Sequence, residues 1–323
     1  MGMTTSSPSF PTLGLRSPDR AVVQRWAWAS IVANTVIILT GGLVRLTASG
    51  LGCPTWPRCT EDSFVPHGEL GLHGLIEFGN RLLTYVLIAV AVGTLVAVWR
   101  WSEGRRLRLH AVVLAVGIPF QGVIGGITVL TDLNPWVVAL HLVLSLFLVA
   151  GSTWLLVRVR GTGPDAVTPL VRRLVLAAYA TLWVAVYLGT IVTGSGPHAG
   201  DLDVPRNGFD PQLWSHVHAW AVYLLVALTV ATLVALRRSP AVTSRTPAFR
   251  VAGWLLVAEL AQGLVGFVQY FTDLPIALVA VHLVGAAVLV GVATRLVLAV
   301  APAASRPATP ERPLATGVPG RPV

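Results

Sequence analysis

Residues 121–142 read QGVIGGITVLTDLNPWVVALHL, and residues 262–283 read QGLVGFVQYFTDLPIALVAVHL. The two stretches align without a gap at an offset of 141, with 10 of 22 positions identical. Gln121 matches Gln262, Thr131-Asp132-Leu133 matches Thr272-Asp273-Leu274, and His141 matches His282. Each stretch is a turn between two apolar runs, so the chain is a duplicated set of hairpins. Upstream, GTLVAVWR at 93–100 parallels ATLVALRR at 231–238, an offset of 138. That offset sets Asn80 opposite His218 and Glu77 opposite Ser215.

The apolar runs are long enough to cross a bilayer. Spans are expected at 25–45, 75–99, 109–130, 136–157, 172–194, 213–236, 250–270 and 277–300. Each is near the roughly 20 apolar residues that cover about 30 Å of hydrocarbon. Hydrophobic residues make up 54% of the chain and charged ones 11%. Mean hydropathy is +0.72. That balance leaves too little charge for a water-facing surface, so lipid is part of the solvent. The expected fold class is an all-α polytopic membrane protein: eight transmembrane helices as two pseudo-symmetric four-helix bundles. An even number of spans per unit points both halves the same way. The expected organisation is a cytoplasmic segment at 1–24, a first four-helix unit at 25–160, a second at 161–300, and a disordered tail at 301–323. The tail is rich in Pro, Ala and Arg. The first 20 residues are polar and carry no secretory h-region, so no cleaved signal peptide is expected.

The formal net charge of +9 is not a nucleic-acid footprint, because its placement sets topology. Every basic residue is an arginine. They cluster before the first span, between spans two and three, four and five, six and seven, and after the last. The opposite loops hold only Arg58 and Arg206, with Arg45 and Arg81 at span ends. This positive-inside pattern puts both termini in the cytoplasm.

Cys53 and Cys59, within Cys-Pro-Thr-Trp-Pro-Arg-Cys, fall in the first outside loop. In an oxidising compartment the short spacing favours a disulfide. A structural staple, redox exchange and partner docking are the readings open to it. A metal site is disfavoured, because two ligands without a third under-coordinate most metals.

Histidines inside spans are costly and face partners. His141, His218 and His282 each lie about five residues into outside-to-inside spans, at one depth of roughly 8 Å. His218 and His282 suit a bis-histidine clamp on one haem iron. His216 sits about 200° round the helix from His218 and reads as interfacial. In the first half His141 is kept, but Asn80 stands where His218 does. Glu77, Asn80, Arg81 and Thr84 share a face, with His73 one turn beyond Glu77. The plain reading is a Glu77–Arg81 ion pair that specifies packing. The functional reading is a reactive pocket: one firm axial ligand, an acid near the ring edge, and a cation for propionates. Glu259 lacks an acidic counterpart, its mate being Ile118, and reads as a hydrogen-bonded structural acid. His110, His67 and His198 read as solvated.

At this point the chain resembles the haem A synthase family. The resemblance runs from Arg25 to Val300. It is carried by Gly41-Gly42-Leu43-Val44-Arg45-Leu46-Thr47, Ser49-Gly50-Leu51, the Cys53–Cys59 loop, Glu77-Phe78-Gly79-Asn80-Arg81, and His141, His218 and His282. The family pattern in span two is Glu-x-x-His-Arg, from which Asn80 departs; His73, five-coordination or water would then serve the substrate iron. A second outside cysteine pair, frequent in the family, is absent from 195–212. The resemblance implies oxidation of the C8 methyl of haem O to a formyl group, giving haem A for an aa3-type cytochrome c oxidase. It implies haem b as cofactor on His218 and His282, and Glu77 as the catalytic carboxylate. Substrate haem would be held by His141, Asn80, Arg81 and His73. It further implies a bacterial plasma-membrane location, with haem O supplied by a haem O synthase. Electron donor, oxygen source and homo-oligomerisation are left open. The rivals are a bis-haem quinol-oxidising electron carrier and a haem transporter or chaperone. Glu77 and the broken symmetry at Asn80 favour the enzyme.

The arginine pattern yields a direct test. A C-terminal green fluorescent protein fusion should fluoresce, whereas a C-terminal alkaline phosphatase fusion should be inactive. The reverse pair of results would invert the topology.

Overall fold

The computed structural model describes residues 17–201, 203–239 and 242–301. Most of the expected N-terminal segment and all but the first residue of the expected tail lie outside them. The helices are α1 (Arg20–Leu46), α2 (Gly71–Arg100), α3 (Arg108–Leu130), α4 (Pro135–Arg160), α5 (Pro169–Ser195), α6 (Pro211–Arg237), α7 (Pro247–Phe271) and α8 (Ile276–Ala299). All eight are long and apolar enough to cross a membrane. The protein is a multi-pass, all-helical membrane protein, and every expected span is present to within a few residues.

The starts of the helices follow from local chemistry. Helices α4 to α7 each carry proline in the first turn, where the missing N–H is no loss. Asn134, Thr168 and Asp210 precede three of them and accept backbone N–H bonds at 3.0, 3.4 and 2.7 Å. The repeated Thr-Asp-Leu turn takes one shape twice. Asp132 and Leu133 have φ of 50° and 54°, and Asp273 and Leu274 have 56° and 55°. Leu133 N–H donates to Thr128 O at 2.8 Å and Leu274 N–H to Gln269 O at 3.0 Å, which are repeat mates. A leucine in the left-handed region costs about 1 kcal/mol or more, so these turns hold because both flanking helices are packed.

Helices α1–α4 pack as a ring, α1 on α2 and α4, α3 on both neighbours; α5–α8 pack likewise. The rings meet through α4 against α8, α1 against α8 and α4 against α5. The largest buried cluster, including Leu146, Val175, Leu182, Leu255 and Val290, spans that junction and the second ring. A second cluster, with Val23, Val98, Trp101, Leu155 and Val159, closes one end of the first ring. Outward-facing side chains are themselves apolar, as at Leu109, Tyr85, Leu264 and Phe271, which suits a hydrocarbon solvent.

Polar groups inside the bundle are paired across helices. Ser30 and Thr94 hydroxyls meet at 2.8 Å between α1 and α2. Thr229 Oγ1 donates to Glu259 Oε1 at 2.8 Å, so the expected hydrogen-bonded acid is observed. Two histidines read as solvated are instead half-buried. His110 Nε2 meets Gly151 O at 2.8 Å, and its ring lies against Trp154 with centroids 4.2 Å apart and planes tilted by 36°. His198 Nε2 meets Leu274 O at 2.9 Å, tying two loops together. Both were misjudged because position near a span end says nothing about which carbonyl lies opposite.

Helices α1 and α2 approach closely where the Trp26 indole lies directly on Gly93, leaving no room for a Cβ. Gly93→Ala should therefore destabilise the protein by about 1–3 kcal/mol through overpacking. The fall in thermal midpoint in detergent measures it; an unchanged midpoint would show that the indole moves aside freely.

Candidate functional site

The four positions singled out by the repeat share one construction. On each even helix the side chain rests on a glycine of the preceding helix. A Cβ built on Gly125 would lie 3.3 Å from His141 Cε1, and one on Gly266 3.7 Å from His282 Cε1. For Gly189 and His218 Cε1 the distance is 3.3 Å, and for Gly41 and Asn80 Nδ2 it is 3.9 Å. Glycine lets the ring lie against backbone, which limits its rotation. The carbonyls of both repeat-mate histidines are held too: Gln121 Nε2 donates to His141 O at 3.0 Å, and Gln262 Nε2 to His282 O at 2.9 Å.

In the second ring, His218 Nδ1 bonds Ala185 O at 2.9 Å. An imidazole donating through Nδ1 to a carbonyl keeps its Nε2 lone pair free for a metal. The buried His282 Nδ1 has no hydrogen-bond partner. Two imidazoles, each braced on a glycine of the preceding helix, are a donor pair that fits the axial ligation of a haem iron. No group of three or more His, Cys, Asp or Glu suited to a bare metal ion occurs among the described residues.

The first ring differs. His141 Nδ1 is likewise buried without a partner. Opposite it, Asn80 Oδ1 accepts from Thr40 Oγ1 at 2.8 Å. His73 is exposed and its Nδ1 meets Ser49 Oγ at 2.9 Å, at the helix start rather than down in the bundle. His216, also exposed, packs its ring near Tyr270 at 5.8 Å.

Glu77 and Arg81 turn towards the cysteine loop. Cys53 and Cys59 are disulfide-bonded, and both are fully buried. Glu77 Oε2 accepts the Cys53 N–H at 2.6 Å. Glu77 Oε1 accepts from Arg81 Nε at 3.1 Å and Nη2 at 2.5 Å. Arg81 also donates to Thr55 O at 2.9 Å, Arg58 O at 3.0 Å and Cys53 O at 2.9 Å. A guanidinium has five N–H bonds, and these contacts use all of them. Arg81 thus has no donor left for a substrate carboxylate in this arrangement. The fastened loop lays Trp56 on Gly126 of α3, next to the glycine that carries His141; a Cβ there would clash with the indole. Sequence reading found the residue types but not this clasp. Its signal is three backbone carbonyls, which no side-chain pattern encodes.

The chain matches the cytochrome oxidase assembly protein family, COX15-CtaA, over residues 24–71 and 67–294. It is 26% identical to the "Heme A synthase" of Sphingopyxis alaskensis, covering 90% of this chain and 95% of that one. It is 28% identical to the "Heme A synthase" of Rhizobium leguminosarum bv. trifolii, over 90% and 93% of the two chains. That of Bradyrhizobium diazoefficiens is 25% identical over 96% and 97%. The chain belongs to the COX15-CtaA family.

If Arg81 fastens the loop, Arg81→Met should loosen it. Cys53 and Cys59 should then be reduced and alkylated at a reductant concentration about tenfold lower than in the unaltered protein, since each charged hydrogen bond is worth about 1.5–3 kcal/mol. Unchanged alkylation would show the loop to be held by other contacts.

Proposed function

We propose that this chain is a haem A synthase that oxidises the C8 methyl of haem O to a formyl group. The observation that carries this reading is the unequal pair of glycine-braced sites. One has two histidines, His218 and His282; the other has His141 opposite Asn80 beneath a clasped loop. Two equal bis-histidine sites would suit an electron carrier. A site with an open axial side suits a guest that must enter, react and leave.

In this reading the second ring holds haem b, which when bound supplies one-electron transfer. His218, whose Nδ1 hydrogen-bonds Ala185 O, and His282 would hold the haem iron. The first ring holds haem O, with His141 fixing the metal and so the position of the porphyrin edge. Positive character that develops at the oxidised carbon is stabilised by a fixed negative charge nearby. Glu77, one turn from Asn80 and pinned by Cys53 N–H and Arg81, is placed to provide it. Trp56 shields that edge from water. The pinning leaves the carboxylate little freedom, so its charge acts without reorganisation when the carbon changes.

The test expresses the chain beside a haem O producer and extracts membrane haems. Haem A should accumulate with the unaltered protein. His218→Ala and His282→Ala should abolish the low-spin haem b spectrum. Glu77→Gln and His141→Ala should retain that spectrum while haem A falls at least tenfold and haem O or its hydroxylated form builds up. Only haem O and haem B in cells making the unaltered chain would sink the assignment. Normal haem A from Glu77→Gln would remove the carboxylate's role alone.

A further inference from the structure

The clasp leaves a question of charge. A haem carries two propionates, and the arginine best placed by sequence, Arg81, is fully engaged with Glu77 and the loop. Arg45 is not. It stands at the end of α1, one turn beyond the Gly41 that touches Asn80, hence about 6 Å further along the axis at 1.5 Å per residue. Its Nη2 donates to Thr193 O at 2.6 Å, and its buried Nε has no partner. The loop between α5 and α6 covers it: a Cβ on Gly200 would lie 3.5 Å from Arg45 Cγ. Arg206 belongs to the same loop. Arg206 donates to Val204 O at 3.0 Å and Pro197 O at 3.1 Å, so it too meets only carbonyls. The ion pairs among the described residues are Arg20–Glu103 and Arg81–Glu77; neither Arg45 nor Arg206 has one.

The guanidinium of Arg45 lines a crevice between the rings, with Val138, Ala139 and Leu142 of α4 and Thr190 of α5. Val138 and Leu142 flank His141 in sequence. Thr190 follows Gly189, on which His218 rests. The crevice therefore lies beside both histidine sites. Capping the end of α5 accounts for one donor of Arg45. It does not account for a cation whose buried Nε has no partner and which has no ion pair, an arrangement that is costly in a low-dielectric setting.

We infer that Arg45, supported by Arg206, is an anion site at the junction of the two rings that receives a haem propionate. This inference rests on the haem reading above and adds to it the residue that recognises the carboxylate end of the porphyrin. A planar fork presenting its Nε edge suits a carboxylate. A lipid phosphate is the other anion of that chemistry, but the crevice lies between helices of both rings rather than on the lipid-facing side.

The test uses the full chain purified haem-free from haem-deficient cells and titrated with haem B or with its dimethyl ester, followed by the low-spin spectrum. The same titration is run with haem O. The unaltered protein should bind at least one free acid about tenfold more tightly than its ester. Arg45→Gln, which keeps a donor for Thr193 O, should weaken that free acid about tenfold and leave the ester unchanged. Arg206→Gln should act in the same direction by about threefold. Equal weakening of acid and ester in both haems would overturn the proposal and leave Arg45 as a helix cap. Loss of free-acid binding on adding phosphatidylglycerol to the detergent, abolished by Arg45→Gln, would assign the site to lipid instead. If the unaltered protein binds neither haem, the haem reading itself fails, an outcome distinct from both.

Discussion

Hydrocarbon offers no water to a stranded hydrogen-bonding group, and the arrangement of this molecule follows from that. Each polar side chain inside the rings has to find a protein partner or be kept for a ligand. Gln121 and Gln262 reach across to histidine carbonyls, Thr229 reaches Glu259, and Ser30 reaches Thr94. Against that thoroughness the exceptions stand out. Buried polar atoms without partners include nitrogens of His141, His282, Arg45 and Arg108 and oxygens of Gln121, Ser152 and Glu259. Those of His141, His282 and Arg45 lie towards the outer ends of their helices. Polar atoms left over in such a place mark where something else is expected to bind.

The two rings answer the same constraint in different ways. In the second, both braced positions are imidazoles, and the loop before α6 is held by Asn207 donating to Ile191 O and by His198 meeting Leu274 O. In the first, one imidazole has become Asn80, which turns to Thr40, and an ion pair ties a disulfide loop over the outer end. Duplication supplied two sites. Divergence then separated them: one keeps two braced imidazoles, and the other pairs one imidazole with an amide and carries a fastened disulfide loop.

Much of this was legible in the sequence. Eight apolar runs gave eight helices, because span length is set by bilayer thickness rather than by subtle propensity. Asn134, Thr168 and Asp210 before prolines marked helix starts for reasons that are local. The histidines were legible because a repeat turns a single costly residue into a pattern. Less of the site could be read. The clasp depends on Arg81 meeting carbonyls 23 to 28 residues earlier, and backbone acceptors leave no trace in residue identity. The left-handed leucines at 133 and 274 run against propensity and are held by tertiary packing. His110 and His198 were judged solvated from position alone, whereas their partners, Gly151 and Leu274, come from elsewhere in the chain.

The glycines beneath the braced side chains bear on how natural variation in this family should be interpreted. Gly125, Gly189 and Gly266 each lie against a histidine ring, and Gly41 lies against Asn80. A change of Gly125 or Gly189 to alanine leaves span hydropathy and predicted topology untouched, and by substitution tables it is among the mildest possible. Yet the added methyl would press on the imidazole and swing its nitrogen off axis. Such an allele belongs with substitutions of the histidines themselves, even though the glycine carries no side chain to lose.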